Sequence, residues 1–284
     1  MLKQRVITAV VLLAVLLGTL LAPGPWPLVL LFTLAAACAL WEWLRLTWPS
    51  KDSFFPLAAA IALAAGLLVV AQQWLAPEPQ AWAQGLQSAL NRWLLPVVAL
   101  IWVVGATGMV FQGQATRRTG CFWLSIFGVA AVIAVWAALV QLFLVNGAWF
   151  LVSLLALIWL ADIAAYFTGK ALGKHKLAPK VSPGKTWEGA VGGVVAAAIW
   201  VMASAYWPGS FGAVLSQRWP VWAVLAIAVF LAALSIVGDL FESLLKRRAQ
   251  VKDSSQLLPG HGGVYDRIDA LLPVAPIALL LTGV

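Results

Sequence analysis

Cysteine is nearly absent from this chain: Cys38 and Cys121 are the two it has, both within or beside apolar runs and without metal-ligand spacing. That excludes a disulfide framework and a cysteine zinc site. Charge is scarce too. Only 10% of the 284 residues are charged, against 63% hydrophobic, and the mean hydropathy of +0.96 is far more than a soluble core requires. The short alternating segments of a membrane barrel are missing, as is the internal repeat of many transporters. The first apolar run follows Lys3 and Arg5 as a signal peptide would, but no small-x-small cleavage site comes after it. Pro23, Gly24 and Pro25 lead straight into another run, so it reads as an uncleaved first helix.

What the chain does have is apolar length. Nine runs, at 5–22, 27–44, 54–72, 93–111, 121–145, 148–168, 188–207, 220–238 and 268–284, approach the ~20 residues that carry a helix across a bilayer. Lipid satisfies no open backbone groups, so the spans must be helical. The expected fold is an all-α polytopic integral membrane protein of about nine transmembrane helices. Within the loop 73–92, Trp82, Leu86, Leu90 and Trp93 recur at helical spacing, which predicts a short helix lying in the interface. Many of the 17 tryptophans stand near span ends, as interfacial anchors do.

The net charge of +8 is placed by topology. Lys3, Arg5, Arg45, Lys51, Arg117, Arg118, Lys170, Lys174, Lys176, Lys180, Lys185, Lys246, Arg247, Arg248, Lys252 and Arg267 fall on one side of the predicted spans, and only Arg92 and Arg218 on the other. The positive-inside rule then puts the N-terminus in the cytoplasm and the C-terminus on the outer face. The basic residues suit anionic lipid heads, and no nucleic-acid partner is expected.

Acidic residues divide the chain near residue 150. Residues 1–147 read as an N-terminal scaffold of about five helices with nothing chemical in it. Residues 148–284 hold seven of the ten carboxylates, with cytoplasmic loops at 169–187 and 239–268. Asp162 lies inside a span, where a carboxylate must face a polar cavity and a partner, and Tyr166 shares its face. The loop after it contains Gly184-Lys185-Thr186, but Pro179 stands where a P-loop needs its first glycine and no strand is expected before it. What remains is a cationic loop with Ser182, Lys185 and Thr186 just before a helix, suited to phosphate. Gly189 and Gly193, four apart, permit close helix packing.

Further on, a continued helix places Asp239, Ser243 and Lys246 on one face with Glu242 beside them. Such a set can hold a divalent metal near phosphates; the plainer reading is a Glu242–Lys246 ion pair. Then come Lys252-Asp253, the turn Pro259-Gly260-His261-Gly262-Gly263, and Asp266-Arg267-Ile268-Asp269. Glycines around His261 suggest a backbone bent towards a ligand. Asp266 and Asp269 share a helical face, where capping is the alternative for at least one.

The segment Ser243 to Asp269, with the upstream stretches A-D-I-A-A-Y-F-T-G-K and S-P-G-K-T-W-E-G, resembles the phosphatidate cytidylyltransferase (CDP-diacylglycerol synthase) family. The match is strong over 160–270 and general in character before that. The resemblance implies transfer of CMP from CTP to phosphatidic acid, with Mg2+ and a second, monovalent cation such as K+. It favours Asp239 and Asp266 as metal ligands. Lys185, Lys246, Arg247, Lys252 and Arg267 would meet the triphosphate and the lipid phosphate. Ser182 and His261 would complete a polar wall, with Thr186, Ser243, Gly262 and Gly263 in nucleotide binding, and Asp162 would orient a cation. The implied place is a bacterial-type inner membrane, with the site facing the cytoplasm; a homodimer is left open. The rival readings are a CTP-dependent lipid kinase and an organic-anion transporter.

Overall fold

The computed structural model describes residues 2–50, 53–115 and 121–283. Lys51, Arg117 and Arg118 lie outside the described residues, and the side chains of Lys3 and Arg5 are not described. Six described helices are long and apolar enough to cross a membrane: Trp26–Thr47, Phe55–Trp74, Ala81–Gln112, Phe122–Leu172, Trp187–Ser204 and Val221–Ala249. Two shorter apolar helices, Val6–Leu21 and Leu271–Thr282, flank them. The 51-residue helix Phe122–Leu172 is broken at Gly147, whose φ of 81° and ψ of −177° are not helical. Each half, about 37 Å long at 1.5 Å per residue, is long enough to cross on its own, so the two apolar runs read on either side of residue 147 correspond to two helices that meet at Gly147.

Three expectations need amendment. Residues 81–89 do not form a separate helix in the interface: they continue, through π-helical turns at Leu90–Leu94 and Ile101–Ala106, into one helix ending at Gln112. The loop after Asp162 is not strandless. It folds back as an antiparallel hairpin, β1 (Lys176–Ala178) against β2 (Ser182–Thr186), so Gly184-Lys185-Thr186 lies in a strand. The last run is also divided, into the short helix Tyr265–Ile268 and the helix Leu271–Thr282.

Small residues set how closely the C-terminal half packs. A Cβ on Gly189 would stand 2.8 Å from the Ala165 carbonyl oxygen, and one on Gly193 2.6 Å from that of Ala161. The Trp187–Ser204 helix therefore rests backbone to backbone on the Asp162 helix, as the glycine spacing predicts. The N-terminal half joins the same core. Trp43 donates from Nε1 to the Leu124 carbonyl (2.9 Å) and packs its ring on Phe127, Phe241 and Tyr265, with centroids 5.1–5.7 Å away.

Candidate active site

Four elements bring the predicted residues together. The Asp162 helix and the Trp187–Ser204 helix meet through their glycines, with the β1–β2 hairpin closing the end between them. The Val221–Ala249 helix carries Asp239 to the same place. The result is a polar cavity of about 590 Å³ lined by Asp162, Tyr166, Ser182, Lys185, Thr186 and Asp239. Lys185 pairs with Asp239 across it. Thr186 has a second duty: its hydroxyl accepts from the Gly189 N–H (3.2 Å) and caps the Trp187–Ser204 helix, a stabilising arrangement for an oxygen side chain at that position. Arg247 reaches back from the long helix to donate to the Val181 carbonyl at 3.3 Å, tying down the hairpin.

Deeper along that helix the carboxylates crowd. Oxygens of Asp239, Glu242 and Asp269 lie within 4.8 Å of one another. Lys246 Nζ lies 2.6 Å from Glu242 Oε2 and 2.6 Å from Asp266 Oδ1. The predicted Glu242–Lys246 pair is therefore present, but buried and extended to Asp266. Glu242 Oε1 is buried without a donor among the described residues. Oxygen ligands in such number, with fewer cations than carboxylates, are what a hard divalent ion takes, and a buried carboxylate oxygen without a partner is otherwise costly. The donor set fits Mg2+.

Asp266, expected beside Asp239 as a metal ligand, is not one of that close trio. Its Oδ1 meets Lys246, and its Oδ2 accepts from Gly263 N (2.7 Å), Ser254 Oγ (2.8 Å) and Ser254 N (3.1 Å). Burial alone would raise its pKa, but the neighbouring Glu242 carboxyl, the Lys246 ammonium and the Gly263 N–H outweigh burial and hold it well below the usual carboxylate range. Asp269, at the end of the short helix, accepts from the Ala270 N–H (2.8 Å) and completes the trio.

The turn after Pro259 is a tight loop in which Leu258 and Gly262 form an isolated bridge. Gly260 and Gly262 take φ values of 75° and 84°, a region that side chains other than glycine's rarely enter. A Cβ on Gly262 would also stand 2.6 Å from Asp266 Oδ2. His261 Nδ1 is buried without a hydrogen-bond partner among the described residues, and its carbonyl accepts from Arg267 Nη2 at 2.7 Å. Ser243 is half-buried one turn after Asp239, and Lys252 and Arg267 are exposed. Glu42, Ser254 and Ser255 are absent from the predicted set, yet all three are buried around this turn. Only Glu42 carried a usable signal, being a carboxylate inside an apolar helix.

One contact governs the spacing of the trio. A Cβ on Gly238 would lie 2.5 Å from the Asp269 carbonyl oxygen and 3.0 Å from the Ala270 Cα. Gly238→Ala is expected to push Asp239 and Asp269 apart and to weaken binding of a divalent ion to the trio about 10–100-fold. Titration with Mn2+, read by the signal of the free ion, checks this; an affinity equal to the wild type's would refute it.

A model of the cytidylyltransferase family matches residues 3–284. A phosphatidate cytidylyltransferase of Pseudomonas aeruginosa is 40% identical over 284 residues, covering 98% of this chain and 95% of the relative. That of Haemophilus influenzae is 35% identical over 97% of this chain and 96% of its own length, and that of Staphylococcus aureus (strain COL) 30% identical over 98% of each. With the family model and these relatives spanning the N-terminal helices as well as the acidic cluster, the chain belongs to the cytidylyltransferase family.

Proposed function

We propose that the cavity between Asp162, Lys185 and Asp239 is where CMP passes from CTP to phosphatidic acid. The chain is a nucleotidyltransferase that makes CDP-diacylglycerol and pyrophosphate. A phosphate oxygen of the lipid attacks the α-phosphorus of CTP, the bond from that phosphorus to the bridging oxygen breaks, and pyrophosphate leaves. The lipid phosphate is already largely ionised near neutral pH, its second pKa being about 6, so no strong base is required. Holding two anionic reactants in line is the main work left to the protein.

Each residue has a task suited to that. Asp239, Glu242 and Asp269 would hold Mg2+, with Asp266 and Asp162 completing the acidic wall; a second, monovalent cation such as K+ has carboxylates to spare here. When bound, Mg2+ supplies Lewis-acid charge to the nucleotide phosphates and the leaving pyrophosphate. Lys185, now on Asp239, turns to the triphosphate, with Ser182 donating at the cavity wall. Lys246 fixes Glu242 and Asp266. Arg247, Lys252 and Arg267 provide positive charge towards the lipid and nucleotide phosphates, and His261 and the glycine turn close the polar side.

The observation that carries this reading is a second space beside the first. An apolar groove of about 600 Å³, bordered by Val110, Phe111, Val191, Val195 and Val237, shares Leu177, Ala190 and Ile236 with the polar cavity. A substrate with a phosphate head and acyl tails fits both at once: tails in the groove and the bilayer, head at Lys185. The fold then sits in a bacterial inner membrane with nine crossings, counting the two halves about Gly147 and both short end helices, and with the cavity on the cytoplasmic side.

Purified protein given phosphatidic acid, Mg2+ and CTP labelled at either end tests this. Label from the α-phosphate is expected in the lipid and label from the γ-phosphate in pyrophosphate. γ-Label entering a lipid alcohol would instead establish the kinase.

A further inference from the structure

A buried carboxylate of the N-terminal half reaches into the acidic loop. Glu42, on the Trp26–Thr47 helix, is fully buried, and no cation forms an ion pair with it among the described residues. Four donors satisfy it instead. Oε1 accepts from Ser255 Oγ (2.5 Å) and Val264 N (3.0 Å); Oε2 accepts from Ser254 Oγ (3.0 Å) and Tyr265 N (2.6 Å). Two donors precede the Pro259–Gly263 turn and two follow it, so one side chain clamps both ends of that loop. Val264 and Tyr265 also begin the short helix Tyr265–Ile268, whose first N–H groups have no partner within the helix. Ser254 Oγ is shared, reaching Asp266 Oδ2 at 2.8 Å.

Close approach on this scale leaves no room for a side chain at Gly263, where a Cβ would stand 2.4–2.5 Å from both Glu42 oxygens and 2.0 Å from Ser254 Oγ. The third glycine of the turn thus serves the clamp. The neighbouring Trp43 ring backs Tyr265 from the same helix, and Thr8 of the first helix donates to the Pro259 carbonyl at 2.8 Å.

We propose that Glu42 is a positioning residue for the transfer: it fixes the 254–265 loop so that Asp266 and Asp269 are presented to the acidic cluster. The inference rests on the transferase reading for its consequence but not for its geometry. Charge-assisted hydrogen bonds are the stronger kind, and of the four donors Ser254 Oγ alone has a second carboxylate, that of Asp266, within reach among the described residues. Glu42→Gln keeps the shape and removes a buried charge. A residue that merely fills space would therefore tolerate it, whereas the clamp would not, because the new NH2 group faces N–H and O–H donors.

The test compares full-length wild type and Glu42→Gln in detergent. Metal-free hydrogen exchange over residues 254–265 is expected to quicken at least tenfold in the variant. Mn2+ affinity, read by the signal of the free ion, is expected to fall about 10–100-fold, and turnover to fall more than the KM for phosphatidic acid rises. Should Glu42→Gln not fold, Ser255→Ala removes one donor and is expected to move the same readouts about threefold. Wild-type exchange and Mn2+ affinity in a folded variant would overturn the clamp. Wild-type protein that moves no CMP would instead refute the transferase reading, with the exchange measurement still deciding on Glu42.

Discussion

Asp239→Asn is expected to lower CMP transfer into lipid about a thousandfold while leaving the protein folded. The side chain keeps its size but loses the charge that meets Lys185 on one side and the Glu242–Asp269 cluster on the other. Both losses bear on the reaction. The trio drops to two carboxylates, and Lys185 loses the partner that holds it at the cavity wall. Lys185 freed of Asp239 still attracts the triphosphate, so the KM for CTP is expected to change far less than turnover. Asp253→Asn is the matched control, since Asp253 is exposed and outside the trio; its turnover is expected within about threefold of wild type. Turnover in folded Asp239→Asn above about a tenth of wild type would show that the chemistry lies elsewhere.

Much of this site is readable in the sequence because the bilayer forces the hand. A carboxylate inside an apolar run is too costly to be idle, which picks out Asp162; Asp239, just past the run 220–238, follows from the face it shares with Ser243 and Lys246. The spans follow from the same demand: runs 121–145 and 148–168 are two helices that part at Gly147, whose φ and ψ are not helical. Residues 81–89 join the following span because π-helical turns absorb the change of face at Leu90–Leu94. The β1–β2 hairpin leaves no alternating pattern to read: its strands are 3 and 5 residues long and contain Pro183 and Gly184.

The division of labour among the acids was harder to foresee. Spacing alone places Asp266 and Asp269 on one helical face, but the short helix stops at Ile268, before Asp269, and the next starts only at Leu271. Asp266 turns to Lys246 and the glycine turn, and Asp269 to Asp239 and Glu242. Glu42, inside the run 27–44, meets the same rule as Asp162, but its four donors are 212 to 223 residues away, so nothing local shows what it holds.

Lys246 is where the cluster's stability is concentrated, and Lys246→Met should expose it. The ammonium lies 2.6 Å from each of two carboxylates, and the side chains of Glu242 and Asp266 are only 2% and 6% exposed. Methionine matches the stem in length but leaves both acids buried without their cation, and breaking a buried pair in this way costs about 3–5 kcal/mol. The apparent unfolding temperature in detergent is expected to fall by roughly 6–10 °C. Two further results follow if charge, not packing, is the cause. Adding Glu242→Gln to Lys246→Met removes one of the stranded charges and is expected to recover at least about half of the loss, because contacting groups are not additive. Millimolar Mg2+ is expected to raise the unfolding temperature of Lys246→Met more than that of the wild type, since a cation that binds only the folded cluster stabilises it by mass action. A single variant within about 2 °C of wild type would mean that the carboxylates relax to water or share a proton, and that Lys246 serves the substrates alone.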